Sequence, residues 1–97
     1  MTTIIRDQAG FTFVAIAGDL TITHAERGGM VTVRGGVSPQ DEQTCDVLDS
    51  AHRVVARVVY CAPWAGMRAA WHLFSLTGEF EGVAYGPELA ERLFPLA

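Results

Sequence analysis

The sequence predicts an α+β fold: a three- to four-stranded antiparallel β-meander packed on one face by a long amphipathic helix, with a second helix and a short C-terminal helix. The main observation is a change of hydrophobic period at Ser38-Pro39. Before it apolar and polar residues alternate, as in half-buried strands; after it apolar residues recur every three or four positions, as in helices. With 97 residues, the chain is expected to form a single domain over 1–97 around one core.

The segments before Ser38 predict short strands joined by tight turns. Gly18-Asp19 suits a two-residue hairpin turn, because glycine occupies its first central position. Residues 26–29, which end in two glycines, close a second hairpin. The predicted strands are 4–5, 11–17, 20–24 and 30–34.

The two hairpins agree on which residues share a face. Pairing Ala17 with Leu20 and Ala25 with Met30 gives one apolar face and one threonine-rich face. The apolar face holds Phe13, Ala15, Leu20, Ile22, Val31 and Val33. The other holds Thr21, Thr23, Thr32 and Arg34. We expect the first to pack on helix and the second to be partly solvated.

Ser38-Pro39 predicts the start of a long helix that continues to Cys61. Serine caps a helix well, and proline suits the first helical position, where its missing N–H costs nothing. The alternative is that residues 54–60, rich in β-branched valine, form a buried strand after a shorter helix. We favour the continuous helix because no glycine or proline separates the two segments.

The rest of the chain predicts two more helices. Residues 64–76 form the first, which Thr77-Gly78 ends, and residues 79–85 form an edge strand or a loop. A last short helix begins at residues 86–88, with Leu89, Leu93 and Phe94 facing inward. So short a helix is stable only when docked on the core.

Composition excludes several functions. The chain has no lysine, so Schiff-base and P-loop chemistry are excluded. Its net charge of −4, with no basic run, argues against nucleic-acid binding. No signal peptide or membrane span is apparent, so we expect a cytoplasmic protein with no membrane partner, whose Cys45 and Cys61 are unbridged. The alanine-, glycine- and arginine-rich composition is typical of a GC-rich genome, such as that of an actinobacterium or its phage.

No set of chemical residues matches a known catalytic or metal site. Cys45, Asp49 and His52 lie close in sequence, but a nucleophile and its base normally come from separate elements, and Cys45 is expected to be a small buried hydrophobe. Asp46, Asp49 and His52 do not complete a zinc ligand set. We expect no catalytic residue, no metal and no cofactor. The alternative is an enzyme or ligand-binding site at which two of His24, Cys45, His52 and His72 converge.

The strongest functional candidate is an aromatic stripe on the second predicted helix. Trp64, Met67, Trp71 and Phe74 fall on one side of it, with Arg68 beside them. Tryptophan, methionine and arginine are enriched at interface centres, although the same stripe also suits a core.

An apolar content of 49% is high for so small a domain and favours an association surface. The sequence therefore predicts a non-enzymatic protein-binding or regulatory protein. We expect it to form a homodimer and to bind a host or other cellular protein. A small enzyme, a ligand-binding domain and a virion assembly component remain alternatives.

Overall fold

One antiparallel sheet, rather than a small sheet and a long helix, makes up most of the protein. The computed structural model describes residues 9–37, 39–40, 42–63, 65–66, 68–86 and 88–97, and the backbone alone of residues 3–6. Eight strands follow one another in sheet order as they do in the chain. They are β1 (Thr3–Arg6), β2 (Phe11–Ile16), β3 (Asp19–His24), β4 (Val31–Val33), β5 (Thr44–Leu48), β6 (Val54–Cys61), β7 (Ala70–Ser75) and β8 (Phe80–Ala84). A helix α1 (Glu88–Leu93) and a 3₁₀ turn (Phe94–Leu96) complete the chain.

The predicted fold class is therefore wrong, and the largest error is the long helix over 39–61. That segment forms the β5–β6 hairpin, so the alternative strand at 54–60 is confirmed, but the strand β5 precedes it and not the shorter helix of that alternative. Pro39 lies in a loop, and Ser38 lies outside the described residues.

The residues of the β5–β6 turn explain why the sequence does not predict this hairpin. The Asp49 side chain accepts hydrogen bonds from the backbone N–H groups of Ala51 and Arg53, each at 2.9 Å. His52 supplies the left-handed residue, at φ 61°, that glycine or asparagine usually provides. Asp49 and His52 thus form a turn in which glycine would be expected.

The second predicted helix is also wrong, because residues 70–75 form β7. In a strand, neighbouring side chains point to opposite faces, so Trp71 and Leu73 face inward while His72 and Phe74 face outward. The spacing of Trp71 and Phe74 is equally compatible with a helix, and it misled the prediction.

The first hairpins have the predicted faces but not the predicted registers. Ala15, not Ala17, pairs with Leu20, and Val31, not Val33, pairs with Ile22. Both offsets are two residues, which preserves the face of every side chain. Ala17 and Gly18, at φ 51° and 87°, form the turn, as the type I′ geometry requires.

The inner face of the sheet surrounds the core. Buried side chains from β2 to β8 join one cluster, which requires the sheet to curl around it. The C-terminal helix was predicted correctly: Leu89 and Leu93 are buried in this cluster, and Phe94 packs its ring 5.2 Å from that of Phe11. The helix thereby connects β8 to β2 across the inner face.

None of the helices in the described part of the chain has the length and apolar character needed to cross a membrane.

Candidate protein-interaction surface

The outer face of β6, β7 and β8 carries four neighbouring apolar side chains and one histidine, a set that we call the aromatic patch. Its residues are adjacent because the strand registers pair Val59 with His72, His72 with Val83, and Phe74 with Phe80. Side chains directly opposite one another on antiparallel strands lie close enough to touch. The patch therefore consists of Val59, His72, Phe74, Phe80 and Val83.

Phe80 is the most exposed member of the patch, with 59% of its surface accessible. Its ring packs edge-on against Phe74, with centroids 5.7 Å apart, and against His72, at 6.1 Å. The other four members are partly buried. Aromatic side chains are enriched at the centres of protein interfaces, which makes Phe80 the candidate anchor of this surface.

Charged side chains border the patch on two sides. On the β5–β6 side Arg57, which pairs across the strands with Phe74, lies 3.3 Å from Asp46, and Arg34 lies 3.7 Å from the same carboxylate. On the β8 side, Glu79 and Glu81 are exposed. An apolar centre with a polar rim is the usual anatomy of a protein interface.

Of the predicted partner-binding residues that the structure describes, Trp71 and Phe74 lie on opposite faces of the sheet. Trp71 is buried in the core, with its ring 4.9 Å from that of Tyr60, whereas Phe74 belongs to the aromatic patch on the opposite face. Arg68 is exposed ahead of β7, with its guanidinium 4.6 Å from the ring centre of Tyr85. Trp64 and Met67 lie outside the described residues.

Four of the five patch residues are not among the predicted partner-binding residues. Once β7 is read as a strand, alternation alone separates His72 and Phe74 from Trp71 and Leu73. Phe80, between two glutamates in the segment predicted as edge strand or loop, then falls beside Phe74. The sequence therefore contains the pattern that identifies the patch, but only if residues 70–75 are assigned the strand period of two and not the helical period.

The histidines proposed for an alternative active site lie on different parts of the fold. His24 is on β3, where its Nε2 contacts the Ala9 carbonyl oxygen at 2.9 Å and its Nδ1 accepts the Glu26 N–H at 3.1 Å. This arrangement uses both ring nitrogens and fits the tautomer with hydrogen on Nε2. His52 is in the β5–β6 turn, and His72 is on the outer face of β7.

The surroundings of Cys45 and Asp49 indicate structural roles for both side chains. Burial, together with the nearby Asp46 charge, raises the pKa of the Cys45 thiol, which disfavours the reactive thiolate. The backbone N–H of Arg53, with help from Ala51 and the Arg53 side chain, lowers the pKa of Asp49.

Cys45 and Cys61 are both free, as predicted, although they lie on neighbouring strands and not on one helix. No cluster of three or more potential metal ligands occurs among the described residues.

Neither a protein-family model, nor a curated protein, nor a solved structure matches this chain.

Proposed function

We propose that this chain is a non-enzymatic protein-binding protein that associates through the aromatic patch, and that its immediate partner is a second copy of the chain. The observation that supports this most strongly is the exposure of Phe80, 59% accessible beside three apolar residues and His72. Leaving such a side chain in water forgoes the free energy of its burial, about 25 cal/mol per Å² of apolar surface. A partner surface recovers that free energy.

The charges around the patch favour a symmetric dimer. A twofold axis lying in the interface, parallel to the strands, places the β8 side of one copy against the β5–β6 side of the other. The β8 side of each copy, which carries the exposed Glu79 and Glu81, then lies against the side of its partner that carries Arg57. Opposite charges at the rim favour this orientation over its alternatives.

A regulatory role follows from the same surface. A host or other cellular protein with a matching apolar surface competes with the second copy for the aromatic patch. Self-association therefore determines what fraction of the chains has its patch available to that protein. A cytoplasmic location belongs to the same proposal, and the free thiols of Cys45 and Cys61 support it.

Sedimentation velocity on three proteins tests the proposal. Phe80→Ser removes the exposed ring, and Ile16→Ser is the matched control, because Ile16 is 52% exposed on β2, outside the patch. At about 100 μM we expect a dimer for the wild type and for Ile16→Ser. Truncating a central aromatic anchor costs about 2 kcal/mol or more, so Phe80→Ser should weaken association about thirtyfold. A monomeric wild type, or equal dimerisation of all three proteins, would contradict the proposal.

A further inference from the structure

A cavity of about 350 Å³ lies between α1, the 3₁₀ turn and the adjoining parts of β6, β7 and β8. Its walls are mainly apolar and include Val55, Leu73, Phe74, Leu93 and Leu96. This volume is at the lower end of the range for small-molecule sites. An occupant is therefore a small molecule with an apolar body.

Both register breaks among the described strands border this cavity. One break lies between Val47 and Leu48 and leaves Val55 as the extra residue of β6; the other leaves Glu81 as the extra residue of β8. Val55 and Glu81 both line the cavity. A β-bulge bends its strand and redirects a side chain, and bulges occur preferentially beside functional sites.

Arg92 provides a fixed positive charge at the cavity wall. Its Nη2 donates a hydrogen bond to the backbone carbonyl of Glu81 at 2.9 Å. Gly82 permits this approach, because its φ is 135° and a Cβ at that position would collide with the Arg92 guanidinium. No ion pair joins Arg92 to an acidic side chain in the described part of the chain, so its remaining N–H groups are available to an anion.

We infer that this cavity binds a small monocarboxylic acid with an apolar tail. The tail occupies the space among the leucine and valine side chains, and the carboxylate accepts hydrogen bonds from Arg92. The exposed Glu81 carboxylate also lines the cavity, so an amine-headed molecule is the competing chemistry. The site goes beyond the proposed function and does not depend on it, although Phe74 borders both the cavity and the aromatic patch.

Methyl NMR with octanoate and octylammonium as matched probes tests the inference, because the two share a tail and differ in the charge of the head. Below the concentration at which octanoate forms micelles, we expect saturable shifts of the Val55, Leu93 and Leu96 methyl signals. Ile16, on β2, should not shift. Octylammonium should bind at least about tenfold more weakly, because its charge is repelled by Arg92.

Two variants separate the site from general adsorption. Arg92→Gln removes the charge and should weaken octanoate binding about tenfold, whereas Arg34→Gln, which removes an arginine charge on the β4–β5 side, should leave it unchanged. Failure of octanoate to saturate, equal binding of the two probes, or shifts confined to Val59 and Val83 in the patch would each overturn the inference. None of these readouts depends on self-association, so the inference and the proposed dimer fail separately.

Discussion

Ile22 lies at the centre of the inner face, fully buried, with Phe13 opposite it on β2 and Val31 opposite it on β4. Ile22→Ala deletes the three carbon atoms beyond Cβ. At about 0.8 kcal/mol for each buried carbon, the lost transfer free energy is about 2.4 kcal/mol, and the cavity left behind raises the cost to about 3–4 kcal/mol. A domain of 97 residues has a stability of about 5–15 kcal/mol, so this is a large fraction of the total.

Urea unfolding, followed by tryptophan fluorescence, measures this cost. Thr23→Ala is the control, because Thr23 is the next residue on β3, only partly buried and on the outer face. We expect Thr23→Ala to cost less than about 1 kcal/mol, with the same m-value for both variants and a much lower midpoint for Ile22→Ala alone. Equal midpoints for the two variants would refute the assignment of faces in β2–β4.

Three further predictions concern the β5–β6 hairpin and the thiols. Because burial raises the pKa of Cys45, a thiol reagent should label Cys61 in the native protein and Cys45 only on unfolding; equal labelling rates would contradict this. The pKa of Asp49 is lowered, so its charge stabilises the fold fully above about pH 5 and progressively less as the pH falls through and below the ordinary value of 3.8. The stability gap between wild type and Asp49→Asn, measured by urea titration, should therefore close in acid, and a gap independent of pH would count against it. His52→Gly should stabilise the protein by about 0.5 kcal/mol, because glycine tolerates φ 61°, whereas a lower melting temperature would argue against backbone strain there.

The faces of β2–β4 were predictable because strict alternation of apolar and polar residues determines which side chains share a face of a strand. The residues on the two faces of β2–β4 came out correctly even though both registers were offset by two. The register itself depended on the turn, and Ala17 in a left-handed conformation is not a residue that a sequence marks for that role. Docking of the last helix was predictable from its three apolar residues and its short length.

The strands β5, β6 and β7 were not predictable from the spacing of apolar residues alone. Residues 54–61 contain polar and apolar side chains at positions compatible with both periods, and the β5–β6 turn has no glycine. What decides the outcome is the pairing of β5 and β7 with β6, a non-local property. The patch was missed for the same reason, because Phe74 and Phe80 become neighbours only when β7 and β8 pair.

A dilution series followed by methyl NMR tests whether the chain associates through the aromatic patch. Between about 1 mM and about 10 μM protein, a dimer with a Kd on the order of tens of micromolar changes from mostly associated to mostly dissociated. We expect concentration-dependent shifts of the Val59 and Val83 methyl signals, which belong to the patch, and constant positions for Val33 and Val58, which are fully buried on the inner face. Unchanged Val59 and Val83 signals over the whole series, or shifts centred on Ile16 instead, would contradict it.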